Sequence, residues 1–254
     1  MTGRIWTPTR RRFLVGASLA GVGTAAGACS REGSPAAGRR VHGEHGLTEE
    51  TAGLNPDQAL ARLTDGNARF VAMDEVEPNL STTRLMAVSR GQQPFVGLLG
   101  CVDSRVPPEL IFDRGLGDIF DARIAGAIAD DAAIGSLEFG VEEFDVPLLV
   151  VLGHSRCGAV TAAVKSVGTP QAELPGRIGA VVGPILPAVQ AVQARGVTGD
   201  AVVDAAARDV VMRGVQALRT SQPLQQRLSA GQLRVVGAFY DLDSGKVEFL
   251  GTPR

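Results

Sequence analysis

Two short stretches hold most of the chemically active side chains of this 254-residue chain. The first, Gly100-Cys101-Val102-Asp103-Ser104-Arg105, sets a thiol, a carboxylate and a guanidinium on alternate residues. The second is Gly153-His154-Ser155-Arg156-Cys157-Gly158. One thiol cannot hold a metal, but Cys101, His154 and Cys157 together offer two sulfurs and an imidazole. Three protein ligands is the catalytic rather than the structural count for zinc, because the fourth tetrahedral position stays open to water or substrate.

Both stretches need elements to carry them. Each follows an apolar run, Pro94 to Leu99 and Pro147 to Leu152, so each reads as a loop leaving the C-terminal end of a buried strand. In open α/β sheets that edge is where sites collect. Cys157 also opens a helical stretch, whose N-terminal dipole favours a thiolate.

Around these the pattern predicts further elements. A helix from an Asn55-Pro56 cap to about Met73 carries Leu60, Leu63, Phe70 and Val71 on one face, and a short helical stretch covers 83–89. Strands are expected over 95–100, 119–124 and 148–152, with a short helix over 109–112 and an amphipathic helix capped by Asp130 or Asp131. Helices follow over 158–164, 178–195 and 200–220, with a kink or late start in the second at Pro184 and Pro187. Residues 234–240 and 246–250 read as a hairpin around a Gly245 turn. The expected fold class is α/β, with about four parallel strands, an antiparallel C-terminal edge strand and flanking helices.

Composition narrows the partners. With 44% hydrophobic residues the chain can bury one full core, and a net charge of -2 gives no reason to expect nucleic acid. Residues 1–29 read as a twin-arginine export signal, with Arg10-Arg11-Arg12 ahead of an uncharged stretch too short for a comfortable membrane span. Ala26-Gly27-Ala28-Cys29 is either a small-residue cleavage site or a lipobox. Acylation of Cys29 is favoured, since a lone exported cysteine otherwise lacks a partner. Residues 30–53 read as a flexible tether in which His42 and His45 are solvated. Residues 54–254 form the single catalytic domain, on the outer face of the cytoplasmic membrane or secreted.

Taken together, Cys101, Asp103 and Arg105, followed by Gly153, His154, Cys157 and Gly158, resemble the paired zinc motif of the β-class carbonic anhydrases. Gly66-Asn67-Ala68-Arg69-Phe70 and Tyr240-Asp241-Leu242 add support. The resemblance implies a zinc lyase with one Zn2+ per subunit that interconverts CO2 and bicarbonate, built as a homodimer or a dimer of dimers. It also places Gln92 where the family has a substrate-facing glutamine, and Ile124 where Arg-Asn-Ala-Gly would supply an amide.

The chemistry follows from the side chains. Asp103 accepts the hydrogen bond of a hydroxide on zinc and aims its lone pair at the carbon of CO2, while Arg105 keeps Asp103 ionised. Gly158 offers a backbone N–H near the metal. Two thiolates cancel the charge of the dication, so its water should ionise less readily than beside three imidazoles, where the pKa is about 7. In some family members the residue matching Asp103 swings onto the zinc at low pH. Arg156 reads most simply as a solvated or interface charge. Two other readings compete: hydrolysis of a CO2 analogue such as CS2 or COS, and a non-catalytic zinc-binding or assembly protein. The intact Asp103 and Arg105 argue against the last.

Overall fold

Asn55 starts the first helix by a reciprocal cap. Its side chain accepts the Gln58 N–H at 2.9 Å, and the Gln58 side chain accepts the Asn55 N–H, also at 2.9 Å, ahead of α1 (Pro56–Ala72). The computed structural model describes residues 51–251 other than 169, 171 and 172. The stretch read as an export signal, with Cys29, His42 and His45, lies outside the described residues. Thr51 is buried, and its hydroxyl donates to the Gln93 carbonyl at 2.7 Å. The folded part therefore includes the last residues assigned to the tether.

After α1 come α2 (Thr82–Val88), β1 (Val96–Gly100), α3 (Pro108–Ile111) and β2 (Ile119–Arg123). A 3-10 turn, Ala125–Ala127, leads to α4 (Asp131–Phe144), which Asp130 caps by accepting the Ala133 N–H. Then follow β3 (Leu148–His154), α5 (Gly158–Lys165), α6 (Ile178–Ala194) and α7 (Ala201–Thr220). The chain continues through α8 (Gln225–Ser229), β4 (Arg234–Tyr240) and β5 (Val247–Leu250).

Of the two alternatives for α6 the late start does not occur, and one loop assignment needs correction. Neither proline delays α6, which starts at Ile178 and keeps Pro184 and Pro187 in its interior. The helix also buries Gly179, Val182, Ile185, Ala188, Val189 and Val192, and that burial offsets two missing backbone bonds. His154 is the last residue of β3 itself rather than part of the loop beyond it. The short α8 was not foreseen; it buries no residue and leaves no apolar period to read.

The sheet order is β2-β1-β3-β4-β5, with the first four strands parallel and β5 antiparallel to β4. On β3, Leu148, Val150 and Leu152 face the core shared with Leu63 of α1 and Ile111 of α3. Leu149 and Val151 face the core shared with Leu137 of α4 and Val211 of α7. A strand covered on both faces has no polar alternation, which explains its unbroken apolar run. Among the described residues no helix is long and apolar enough to cross a membrane.

Order and register together position the site. From β1 the chain first goes out to β2 and then returns across β1 to β3, so the switch point lies between β1 and β3. Gly100 pairs with Leu152, so Cys101 leaves the sheet within two residues of the level of His154. Gly153 lets α7 approach there, since a Cβ at that position would lie 2.6 Å from Val211 Cγ2.

Asn67 ties α1 to the end of α3 and to the C-terminal hairpin. Its amide donates to the carbonyls of Ile111 and Gly245, each at 2.9 Å, and its oxygen accepts the Val247 N–H at 2.8 Å. Asn67→Ala should therefore cost roughly 2–4 kcal/mol in a denaturant titration, because three partners in or near the core lose their bonds. A change under about 0.5 kcal/mol would show that water replaces the amide.

Candidate metal centre

Cys101, His154 and Cys157 are all buried, and their ligand atoms lie within 4.8 Å of one another. Cys101 follows the last residue of β1, His154 ends β3, and Cys157 is the N-cap of α5. Neither cysteine is in a disulfide.

The imidazole is oriented by its own turn. His154 Nδ1 lies 3.0 Å from the Ser155 carbonyl, which leaves Nε2 buried without a hydrogen-bond partner. With a donor proton on Nδ1, Nε2 presents a lone pair toward the two sulfurs. A buried lone pair facing two thiols fits a divalent metal and is costly without one.

The thiols behave as a pair. The hydrogen bond from Cys157 pulls the Cys101 thiol down to about 4 against the opposing effect of burial, and N–H groups of Gly126 and Asp103 assist. The Gly126 N–H lies 3.3 Å from Cys101 Sγ. Cys157 is pushed up by that same hydrogen bond and by burial. One proton therefore leaves readily and the second is held, which is what two adjacent negative charges dictate until a dication is present. Burial lowers the basicity of His154, but the neighbouring thiolate outweighs it and raises its pKa. Donor set and electrostatics both fit zinc.

Asp103 sits beside this cluster. Its Oδ1 accepts from the Arg105 backbone N–H at 3.0 Å and from Nε at 2.9 Å, and its Oδ2 accepts from Arg105 Nη2 at 2.8 Å. Its Oδ2 is also 3.9 Å from His154 Nε2. The bidentate guanidinium holds the Asp103 carboxyl well below the usual carboxylate range, burial opposing. Asp103 is thus ionised and engaged by Arg105.

The other sequence candidates divide. Gly158 opens α5 beside Cys157 and is exposed, so its N–H belongs to the unpaired first turn of that helix. Gln92 is not brought to the cluster within one chain. It precedes the N-terminal end of β1, and the five-residue strand puts roughly 17 Å between its two ends. Ile124 packs its side chain into the apolar core that includes Cys101. Gly126 does permit a close approach: its φ is 78°, and a side chain there would bring its Cβ to 2.7 Å from Ile185 Cδ1.

Sequence reasoning assigned no role to Arg123. From the end of β2 its Nε donates to the Cys101 carbonyl at 2.9 Å and its Nη2 to the Asp103 carbonyl at 2.7 Å. The signals were an arginine ending a strand and standing where the family has the arginine of Arg-Asn-Ala-Gly, and pairing of β2 with β1 is what gives it meaning.

A parallel α/β sheet with a Cys-His-Cys cluster at its switch point defines the β-class carbonic anhydrase architecture. The carbonic anhydrase family profile matches residues 96–247. Carbonic anhydrase 2 of Mycobacterium tuberculosis is 39% identical over 194 residues, covering 76% of this chain and 91% of its own length. A carbonic anhydrase of Mycolicibacterium smegmatis is 38% identical over 195 residues, covering 76% and 93%. Among solved structures, the β-carbonic anhydrase CafA of Aspergillus fumigatus superposes with a TM-score of 0.61 at 26% identity, covering 78% of this chain and 92% of its own. The chain belongs to the carbonic anhydrase family, in its β class.

His154→Ala leaves two sulfurs and no imidazole. Zinc measured by inductively coupled plasma mass spectrometry should accompany the parent chain through purification and be lost from the variant. Equal zinc in both would remove His154 from the ligand set.

Proposed function

We propose that this chain is a zinc-dependent carbonic anhydrase interconverting CO2 and bicarbonate. The convergence of Cys101, His154 and Cys157 within 4.8 Å, beside a carboxylate that Arg105 grips with two N–H groups, carries the reading. Kinship at 39% identity to a carbonic anhydrase supports it.

Cys101, His154 and Cys157 hold the metal. Zinc there would supply Lewis acidity, easing the ionisation of water though less than beside three imidazoles. The remaining work falls to the chain. Asp103 accepts a hydrogen bond from the attacking water, turning its free lone pair toward the carbon of CO2. Arg105 keeps Asp103 from protonating and from rotating away, and Arg123 fixes the carbonyls on either side of Val102. Burial of both sulfurs and the imidazole excludes competing water from the ligands.

Self-association belongs to the same proposal. Among the described residues α2 buries nothing, yet Leu85 and Met86 on it are exposed, as are Met73 at the end of α1 and Leu110 on α3. Exposed apolar side chains on these elements favour a second copy of the chain as their cover. One solved relative, from Sordaria macrospora, is described as a tetrameric β-carbonic anhydrase, with a TM-score of 0.60 at 25% identity. For location we propose the outer face of the cytoplasmic membrane, on the strength of Arg10-Arg11-Arg12 and Cys29.

Stopped-flow CO2 hydration tests the activity. Zinc-loaded parent enzyme should be active, and Asp103→Ala should lower kcat/KM on the order of 100-fold with the metal retained. An inactive parent would sink the CO2 reading; an unaffected variant would sink the role of Asp103. Sedimentation should show a dimer or larger, weakened by Leu85→Glu together with Met86→Glu, and fractionation of expressing cells should find the chain in the membrane. A monomer, or a cytosolic chain, would reject the corresponding part.

A further inference from the structure

The turn between His154 and Cys157 does not hold itself. Its residues must carry the chain from the end of a strand into a helix while both flanking side chains face one point. Arg156 adopts φ 52°, in the left-handed region that an L-residue other than glycine, asparagine or aspartate rarely enters. Glycine is the usual choice for such a position. An arginine there needs compensation from outside the turn.

Contacts from distant elements supply it, and none comes from the ligand loops themselves. The Arg156 backbone N–H donates to Asp204 Oδ1 at 2.7 Å, from the first turn of α7. The Arg156 guanidinium donates through Nη1 and Nη2 to the two carboxylate oxygens of Asp243, at 2.6 and 2.8 Å. Ser155 is pinned as well: its N–H donates to the Tyr240 carbonyl and its hydroxyl oxygen accepts the Leu242 N–H, both at 3.0 Å. The hairpin that presents Asp243 is itself organised by Asp241, which accepts from the N–H groups of Asp243 and Ser244 and from the Ser244 hydroxyl.

We propose that Asp204 and Asp243 are positioning residues that grip Arg156 by its backbone and its guanidinium. They thereby hold the His154–Cys157 turn in its metal-binding shape, so that zinc retention depends on two carboxylates outside the ligand set. A fork-on-carboxylate contact fixes direction as well as distance, which a lysine could not do. The side chains are more than half exposed, 54% for Arg156 and 74% for Asp243, so the pair contributes little to global stability. Its effect is local. It opposes relaxation of φ at Arg156, the motion that would carry Cys157 away from His154. The inference rests on the zinc reading of the cluster.

The test measures zinc release. Wild-type, Asp243→Asn and Asp204→Ala proteins are loaded with zinc and mixed with a chromophoric chelator in excess, and thermal midpoints are recorded in parallel. Each variant should release zinc about tenfold or more faster, the scale typical of lost outer partners of metal ligands, with midpoints near wild type. Asp243→Glu should recover part of the slow release, and Asp145→Asn, which breaks the exposed ion pair with Arg227, should match wild type. Arg156→Gly separates the two grips: it accepts the backbone angle freely but lacks the guanidinium, so it should release faster than wild type.

Should a variant fail to fold, wild type alone decides. Raising ionic strength toward about 1 M screens an exposed pair and should quicken release from wild type. Release rates within about twofold of wild type in both Asp243→Asn and Asp204→Ala, release that rises only in step with a falling midpoint, or salt-independent release from wild type would each overturn the clamp. A wild type that takes up no zinc would instead overturn the metal centre, and the two failures are distinguishable.

Discussion

Two thiols buried together with an imidazole can both ionise only when a dication takes up the charge, and until then one thiol keeps its proton. That requirement organises the rest of the molecule. Cys101 and Cys157 come from opposite sides of the β1–β3 boundary, and their ligand atoms lie within 4.8 Å of each other and of His154. The Cys157 hydrogen bond lowers the Cys101 pKa, and the charge this leaves on Cys101, with burial, keeps Cys157 protonated. The sheet must hold the donors in place before a metal arrives.

A parallel sheet covered on both faces suits this task. β3 is buried at every position and lies between β1 and β4, so the backbone beneath His154 cannot shift without disturbing two ladders. α7 lies close over the end of β3 because Gly153 carries no side chain, and the same helix reaches forward with Asp204 to the ligand turn. Arg123 performs the matching task on the other loop, crossing from β2 to the carbonyls of Cys101 and Asp103. Each ligand loop is therefore restrained by a neighbouring element, while Arg105 stays exposed.

The reactive dyad follows a different logic. Asp103 and Arg105 are two residues apart and pair within their own loop, so their contact needs little from the tertiary fold. What the fold adds is placement, putting Asp103 Oδ2 3.9 Å from His154 Nε2. A local pair set beside a long-range cluster is a division of labour: the sheet determines where the three ligands converge, and the loop sets its own carboxylate–guanidinium pair beside them.

Residue types and spacing alone determined the metal ligands, the dyad and the α/β order of elements, because each is written locally. A Cys-x-Asp-x-Arg loop after an apolar run, a His-x-x-Cys pair after another, and the Asn55 cap all depend on neighbours a few residues away. The same holds for the four parallel strands and their antiparallel edge, since alternating strand and helix patterns leave few topologies. Only the tertiary structure decided the rest. Arg156 looked like a solvated charge because Asp243 is 87 residues away, Arg123 had no role until β2 paired with β1, and Gln92 lay near Cys101 in sequence but at the other end of its strand. Two prolines failed to delay α6 because its burial against α5 and α7 outweighs them. Contacts between residues far apart in the chain are set by packing, and packing leaves no local trace in the order of residues.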